Sequence, residues 1–181
     1  GISKEMRQTL DKVPKDKFIY MDNPFNPGEK VVALPVPQID TAIVHVHQAS
    51  PDGTARILGS EFNDIDIAMA AKKTIVSNEE IRREPAKNSI PDFCVDAVVH
   101  APYGAHPSQC YDYYDYDIPY FKEYAAASKT DEGFKNFVNK YVYGVNSHEE
   151  YLEVIGANRL SRLKVTPGYG FSVDLSKEAA K

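Results

Sequence analysis

The apolar residues of this chain are concentrated in short, β-branched segments of the kind that form buried strands. Three segments, at 41–47, 73–77 and 95–99, are nearly continuous in apolar character, which is typical of strands covered on both faces. Between the first two, residues 64–71 follow the potential cap Asn63 and carry acids in their first turn, which predicts a helix. The order strand, helix, strand favours an α/β fold with an open, mostly parallel sheet and flanking helices.

The final third of the chain instead repeats its apolar residues at helical spacing. This spacing predicts one helix over 131–143, capped by Thr130. It predicts a second helix over 148–155, which begins with a capping box at Ser147 and ends at Gly156. We expect this helical third to cover the sheet.

The first part of the chain gives weaker signals. A short amphipathic helix is predicted from Ser3 to residue 12, and turn-forming residues follow at 23–28. Prolines in 31–37 exclude this extended segment from the middle of a sheet, so we interpret it as an edge strand or a linker.

Composition limits the classes of protein to which the chain can belong. Its 181 residues, 43% hydrophobic and 26% charged, fit a single globular domain over 1–181, and no repeat or Gly/Ser-rich linker divides it. The net charge of −5 and the lack of a Lys/Arg run argue against a nucleic-acid partner, which needs clustered cations.

The cysteines and the apolar runs indicate a compartment. Cys94 and Cys110 are the only cysteines, and neither belongs to a C-x-x-C pair, so we expect reduced thiols and a cytoplasmic location. The apolar runs are too short to cross a bilayer, so we expect no association with a membrane.

Two loops that follow predicted strands hold the polar residues best placed to meet a ligand, because crevices in open α/β sheets lie beyond the carboxyl ends of strands. The first, 48–54, contains a Pro-Asp-Gly sequence that also fits a plain type I turn, the interpretation that we favour. In the second, 102–110, His106 and Cys110 could form a nucleophile pair, although a structural loop is the better-supported interpretation.

The pattern His45-x-His47 is a possible metal-binding motif. Residues two apart on a strand share a face, so both imidazoles could reach one ion. No carboxylate pair at ligand spacing accompanies them, and we predict no metal site. The sequence also lacks the glycine-rich phosphate loops, the serine elbow and the zinc-peptidase motif.

Tyrosines alternate with acids in the segment 111–124. The acids would repel phosphates, which disfavours nucleotide stacking. Tyrosine is common in protein interfaces because its ring buries area while its hydroxyl remains hydrogen-bonded. We therefore predict a subunit interface, with a solvated aromatic loop as the alternative. The predicted interface residues are Tyr111, Tyr113, Tyr114 and Tyr116.

The stretch VDAVVHAPYGAHPSQCY at 95–111 resembles the signature stretch of the alpha subunits of glutaconate CoA-transferases. Further stretches resemble those subunits in the same order, and together they cover nearly the whole chain. They are GISKEMRQTLDKV at 1–13, NPFNPGEKVVALPVP at 23–37, QASPDGT at 48–54, EEIRR at 79–83 and KVTPG at 164–168. The resemblance implies that the chain corresponds to the C-terminal part of such a subunit, whose N-terminal portion is absent.

The resemblance also implies an open α/β CoA-transferase fold (NagB/RpiA-like) and an active site built between an alpha and a beta subunit in a hetero-oligomer. Such enzymes move CoA between acetyl-CoA and a dicarboxylate, for example glutaconate or 2-hydroxyglutarate, in the fermentation of glutamate. In the beta subunit, a glutamate carboxylate attacks the thioester to give an anhydride, which CoA thiolate converts to a glutamyl-CoA thioester. CoA is thus a substrate, no cofactor is tightly bound, and the isolated chain is expected to be inactive.

The resemblance leaves a supporting role to this chain. Because the nucleophile belongs to the partner, Glu61, Glu79 and Glu80 are expected to be surface or structural carboxylates. The residues expected near the subunit junction, where they orient substrate or partner loops through hydrogen bonds, are Gln48, Ser50, Gly53, His106 and Ser108. The alternatives are a CoA-transferase-like hydrolase that opens a ring in an acyl-CoA, a non-catalytic interaction domain, and a metal-dependent hydrolase that uses His45 and His47.

Overall fold

A computed structural model describes residues 17–84, 88–166 and 172. It divides into two compact units, residues 1–38 and residues 39–181. The helix predicted from Ser3 to residue 12 lies outside the described residues, and the single domain over 1–181 stays a prediction.

The first unit contains an antiparallel hairpin. Strand β1 (Ile19–Asp22) pairs with β2 (Lys30–Ala33), and Ile19 lies opposite Ala33. In the turn between them, the Asn23 carboxamide accepts a hydrogen bond of 2.9 Å from the backbone N–H of Phe25. The extended segment predicted over 31–37 is therefore a strand only as far as residue 33, since the prolines beyond it have no N–H to donate to a ladder.

The second unit is built on a four-stranded mixed sheet in the order β4-β3-β5-β6. Strand β3 (Ile39–Ala49) is parallel to β5 (Ala71–Ile81), which is parallel to β6 (Ala97–His100). The two-residue β4 (Ala55–Arg56) is antiparallel to β3 at one edge. The predicted α/β fold with an open, mostly parallel sheet is confirmed.

Helix α1 (Asp64–Ala70) packs against one face of this sheet. Asn63 precedes the helix as predicted, although its side chain makes no capping hydrogen bond. Each buried Val or Ile side chain in the core stabilises the fold by about 1.5–3 kcal/mol, and each buried Ala by less. The buried members of this core are Ala42, Val44, Val46, Ala49, Ala55, Ala68, Val76 and Ile90.

The prediction that the strands are covered on both faces is wrong for the first half of β3 and for β6. Ile43 is 75% exposed between the buried residues Ala42 and Val44, and Val99 is 47% exposed. Helix α1 covers one face of the sheet. Among the described residues, the other face is covered mainly where the loop 102–114 crosses it. Residues 46–50 are all buried because they lie at this crossing.

The helical C-terminal third is confirmed. It contains α2 (Ile118–Ala127), α3 (Asp131–Val138), α4 (His148–Ile155) and α5 (Ala157–Leu163). The helix predicted over 131–143 continues beyond α3 as a π-helical turn (Asn139–Tyr143). The buried side chains of this layer are Tyr120, Phe137, Tyr141, Ile155 and Leu160.

The predicted caps account for the starts of two of these helices. The Thr130 hydroxyl accepts a hydrogen bond of 3.0 Å from the N–H of Gly133. The Ser147 hydroxyl accepts one of 3.2 Å from the N–H of Glu150, while the Glu150 carboxylate reaches back to Asn146 N rather than to the N–H of Ser147. The reciprocal half of the capping box is thus displaced by one residue.

Candidate functional site

His45 and Glu79 lie side by side on the face of the sheet opposite α1. The register pairs His45 with Ser77, and Glu79, two residues further along β5, projects to the same side. His45 Nε2 lies 2.8 Å from Glu79 Oε1, and His45 Nδ1 lies 2.9 Å from the Ser77 hydroxyl. Parallel pairing therefore joins two residues that are far apart in sequence.

The Glu79 carboxylate accepts hydrogen bonds from two further donors. The Tyr114 hydroxyl donates to Oε1 at 2.7 Å, and the backbone N–H of Tyr103 donates to Oε2 at 2.7 Å. The Glu79 side chain is only 4% exposed. Burial alone would raise the pKa of Glu79, but the hydrogen bonds from His45, Tyr114 and Tyr103 together hold that pKa below its usual value. These contacts are those of a structural carboxylate.

The loop 102–110 closes over this pair of residues. Tyr103 adopts a positive φ of 62°, and the N–H of Ala105 donates to the Tyr114 hydroxyl at 2.9 Å. A Cβ atom on Gly104 would lie 2.6 Å from Cε1 of His45, too close for any real side chain. The glycine thus allows the loop backbone to pass directly over the imidazole.

Cys110 ends the same loop and is buried. Its burial, together with the negative charge of Glu79, raises the pKa of the Cys110 thiol to about 12. Such a thiol is not an activated nucleophile. The potential ligand atoms of His45, Glu79 and Cys110 all lie within 4.8 Å of one another.

His106 is held by the helical layer rather than paired with Cys110. Its Nδ1 lies 2.6 Å from the Tyr151 hydroxyl, and its Nε2 lies 2.8 Å from Asp117 Oδ2. Asp117 also accepts a hydrogen bond of 2.7 Å from Arg159. These contacts support the structural interpretation of the loop, because both ring nitrogens of the buried His106 already have protein partners.

The segment 48–54 forms the predicted turn, and it joins β3 to β4. The N–H of Gly53 donates to the Ser50 carbonyl at 3.1 Å, and Gly53 has a φ of +107°. The Ser50 hydroxyl donates to the Asp52 carboxylate, which also accepts the N–H of Thr54 at 2.9 Å. Ser50 and Gly53 therefore define the shape of this turn.

Gln48 and Ser108 have different surroundings. The buried Gln48 amide lies 3.3 Å from a Glu80 carboxylate oxygen and 3.4 Å from the Tyr113 hydroxyl, while its own oxygen makes no hydrogen bond with the described residues. Ser108 is exposed at the surface of the loop. The structure thus places the five predicted site residues in one turn, one strand end and one loop rather than in a single cluster.

The tyrosine-rich segment is divided between core and surface. Tyr114 is 2% exposed and packs within this chain, and Tyr113 donates from its hydroxyl to Glu80 at 2.9 Å. Tyr111 and Tyr116 are 57% and 44% exposed. Of the predicted interface residues, these last two offer the most free surface to a partner.

A cleft of 570 Å³ opens beside His45 and Cys110. Its other wall comes from the segment 57–64, which sequence reasoning misses because the segment carries no motif or periodicity. This volume lies in the range of small-molecule sites. The lining residues are His45, His47, Ile57, Leu58, Gly59, Ser60, Phe62, Asp64, Ala105, Gln109, Cys110 and Tyr111.

The two histidines of the His-x-His pattern have separate partners in this cleft. His47 Nδ1 accepts a hydrogen bond of 3.0 Å from the backbone N–H of Leu58, which fixes the orientation of its ring. Burial lowers the pKa of His47, and the neighbouring His45 lowers it further. Within the described residues, the atoms that converge with those of His45 belong to Glu79 and Cys110 rather than to His47.

The family to which the chain belongs follows from comparison with known proteins. The family model described as Coenzyme A transferase matches residues 7–101, more than half of the sequence. The chain therefore belongs to the coenzyme A transferase family.

Among the described residues, no helix combines the length and the apolar character that a membrane crossing requires.

Individual members of this family show how similar the chain is to proteins of known activity. The chain is 62% identical to the A subunit of glutaconate CoA-transferase from Acidaminococcus fermentans, over 98% of this chain and 58% of that protein. The crystal structure of glutaconate coenzyme A-transferase from the same organism superimposes with a TM-score of 0.83 at 61% identity, over 97% of this chain and 57% of that one. The cholesterol ring-cleaving hydrolase IpdA subunit of Rhodococcus jostii is 33% identical, over 68% of this chain and 44% of that protein. The chain spans about half the length of the curated relatives it matches.

Proposed function

We propose that this chain forms part of the alpha-type subunit of a CoA-transferase that exchanges CoA between acetyl-CoA and a dicarboxylate such as glutaconate or 2-hydroxyglutarate. The observation that carries the proposal is the 62% identity to the A subunit of a glutaconate CoA-transferase over 98% of this chain. The similar fold supports it. The hydrolase subunit, at 33% identity, is a much weaker match, so ring opening by water is the less favoured reaction.

The nucleophilic glutamate belongs, in this proposal, to a beta-type partner. It attacks acetyl-CoA to give an acetyl-glutamyl anhydride and CoA thiolate, and the thiolate then displaces acetate to give a glutamyl-CoA thioester. The dicarboxylate reverses both steps. The surroundings of Glu79 support this division, because a carboxylate that is 4% exposed and accepts three hydrogen bonds cannot approach a thioester.

The contribution of this chain is to hold the walls of the site in shape. Gln48, Ser50, Gly53, His106 and Ser108 are proposed to lie near the subunit junction. The internal hydrogen bonds of Ser50 and His106 suit them to fixing the turn and the loop, whereas the exposed Ser108 is suited to direct contact with substrate or partner.

Assay of the alpha-type subunit, co-purified with its beta-type partner, tests the reaction. Acetyl-CoA and glutaconate are expected to give glutaconyl-CoA and acetate in equal amounts, with no incorporation of oxygen from ¹⁸O-labelled water into the acetate. Acetate that carries the solvent label, released together with free CoA, would support a hydrolase instead. Absence of CoA exchange with any dicarboxylate would refute the transferase assignment.

We place the enzyme in the cytoplasm, in glutamate fermentation, as a hetero-oligomer of alpha and beta subunits that uses CoA as a substrate. The two free cysteines, Cys94 and Cys110, support a reducing compartment. Fractionation of cells that carry the native gene, followed by immunodetection, checks the location.

A further inference from the structure

Three kinds of metal ligand converge beside the cleft. One atom from each of His45, Glu79 and Cys110 lies within 4.8 Å of the other two. Tetrahedral zinc, with bonds of about 2.0–2.3 Å, holds its ligand atoms roughly 3.3–3.6 Å apart. The imidazole and carboxylate atoms, now 2.8 Å apart, would separate slightly, and the thiol sulfur, which lies within 4.8 Å of both, would approach by at most about 1.5 Å. Small side-chain movements therefore suffice to form the site.

Two of these side chains already have the outer hydrogen bonds that metal ligands use. When the Ser77 hydroxyl accepts a hydrogen bond from Nδ1–H of His45, the lone pair of Nε2 is available to bind a metal. Tyr114 and the N–H of Tyr103 fix the position of the Glu79 carboxylate. Such partners orient a ligand and raise the affinity of a site for its ion.

The position of the cluster leaves room for a further ligand. His45 and Cys110 line the cleft of 570 Å³, so a fourth coordination position would face it and could hold water or an anionic group. Three protein ligands and one open position are typical of reactive zinc sites, whereas structural sites are closed by four.

The charges and the chemical type of the ligands favour a particular kind of ion. One carboxylate and one thiolate together neutralise a divalent cation, so the buried cluster would carry no net charge. Thiolate and imidazole ligands favour Zn²⁺ over Mg²⁺ or Ca²⁺, which prefer oxygen.

We propose that His45, Glu79 and Cys110 form a binding site for Zn²⁺ that opens into the cleft. The proposal goes beyond the CoA transfer proposed above and does not depend on it. The site also differs from the His45 and His47 pair that the sequence suggests, since His47 is bound to the Leu58 N–H.

Binding moves protons in a defined way. In the metal-bound state, Nδ1 of His45 donates to the Ser77 hydroxyl, and Nε2, which faces Glu79, binds the ion without a proton. The Cys110 thiol gives its proton to solvent as the sulfur–zinc bond forms. One proton is thus released for each ion bound.

Titration of the EDTA-treated 181-residue chain tests the site. Isothermal calorimetry with Zn²⁺ is expected to show one ion bound and, in buffers of different ionisation enthalpy, one proton released. Co²⁺ is expected to give the near-ultraviolet thiolate charge-transfer band and the visible bands of a tetrahedral site, and Mg²⁺ is expected not to bind. Failure of the wild-type chain to bind Zn²⁺ stoichiometrically overturns the proposal.

The two cysteines provide matched variants. Cys110→Ser is expected to lose the charge-transfer band and to weaken Zn²⁺ binding by more than about 100-fold, beyond the ~10–100-fold that loss of an outer partner costs. Cys94→Ser is expected to keep both. If Cys110→Ser does not fold, as circular dichroism would show, a thiolate band that persists in Cys94→Ser still assigns the ligand to Cys110. Loss of the band in Cys94→Ser, or equal Zn²⁺ affinity of the two variants, would contradict the proposal. His45, Glu79 and Cys110 would then form a hydrogen-bonded cluster that binds no metal.

Discussion

Asp117 is the buried charge at which the loop 102–110 meets the helical layer. It is fully buried, accepts hydrogen bonds from Arg159 and from the N–H of Tyr120 at the start of α2, and lies 2.8 Å from His106 Nε2. Burial alone would raise the pKa of Asp117, but His106, Arg159 and the helix N–H hold it below its usual value. The carboxylate therefore stabilises the fold only while it is ionised.

Substitution of Asp117 by Asn should destabilise the chain at neutral pH by about 3–5 kcal/mol, because it leaves Arg159 without its buried counter-charge. A lowered folded-state pKa means that this contribution is complete above the ordinary value of 3.8 and is lost as the pH falls through the folded-state pKa. Urea unfolding of both proteins across this range should show the difference in unfolding free energy shrinking with acid.

The exposed Asp112 provides the matched control. Asp112→Asn should change the unfolding free energy by less than about 0.5 kcal/mol. A difference between Asp117→Asn and wild type that stayed constant down to acid pH would show that the Asp117 charge contributes nothing to stability.

Local features of single residues can be predicted from the sequence, but their partners across the sheet cannot. The turn at 48–54 is predictable because Pro, Asp and Gly act on their own backbone. The contact between His45 and Glu79 is not, because it depends on the register of two strands that are distant in sequence. Nothing in the sequence around Glu79 indicates which side chains surround its carboxylate.

Among the secondary-structure elements, long periodic segments are predictable and short or aromatic ones are not. Strands β3 and β5 and helices α1, α3 and α4 follow from their apolar patterns. The strands β1 and β4 are too short to show alternation. Helix α2 escapes prediction because its start lies within the tyrosine-rich segment and has Pro119 in the first turn, although proline suits that position.

Two phenylalanines on α3 test how this helix is held. Phe137→Ala should cost about 3–5 kcal/mol, since Phe137 is buried against Tyr120 and Tyr141. Phe134→Ala, on the same helix but 44% exposed, should cost less than half as much. Urea denaturation monitored by circular dichroism measures both, and equal losses would contradict the view that burial of Phe137 holds the helix.

For the whole molecule, the face that a partner covers is predicted to include the exposed Tyr111 and Tyr116. Tyr114 is buried within this chain and offers almost no surface to a partner. Tyr111 also lines the cleft, so a partner bound there would close one side of it.

Tyr111→Ala and Tyr116→Ala should each weaken binding of the beta-type partner about tenfold or more, the effect expected of an aromatic hot spot. Calorimetric titration with the purified partner gives the dissociation constants. Tyr143→Ala, at a 78% exposed position in the helical third, should leave the affinity unchanged. If only the Tyr143 variant weakened binding, the interface would lie on the helices instead.

The parallel pairing of β3 with β5 has a kinetic consequence. Ile39 pairs with Ala71, 32 residues further along, and the same separation holds along the whole ladder. Closing a loop of that length costs about 3 kcal/mol in chain entropy before any sheet contact compensates for it. The helical third, with its more local contacts, is free of this delay. We therefore expect refolding to be limited by the meeting of the two central strands, with the helices already formed.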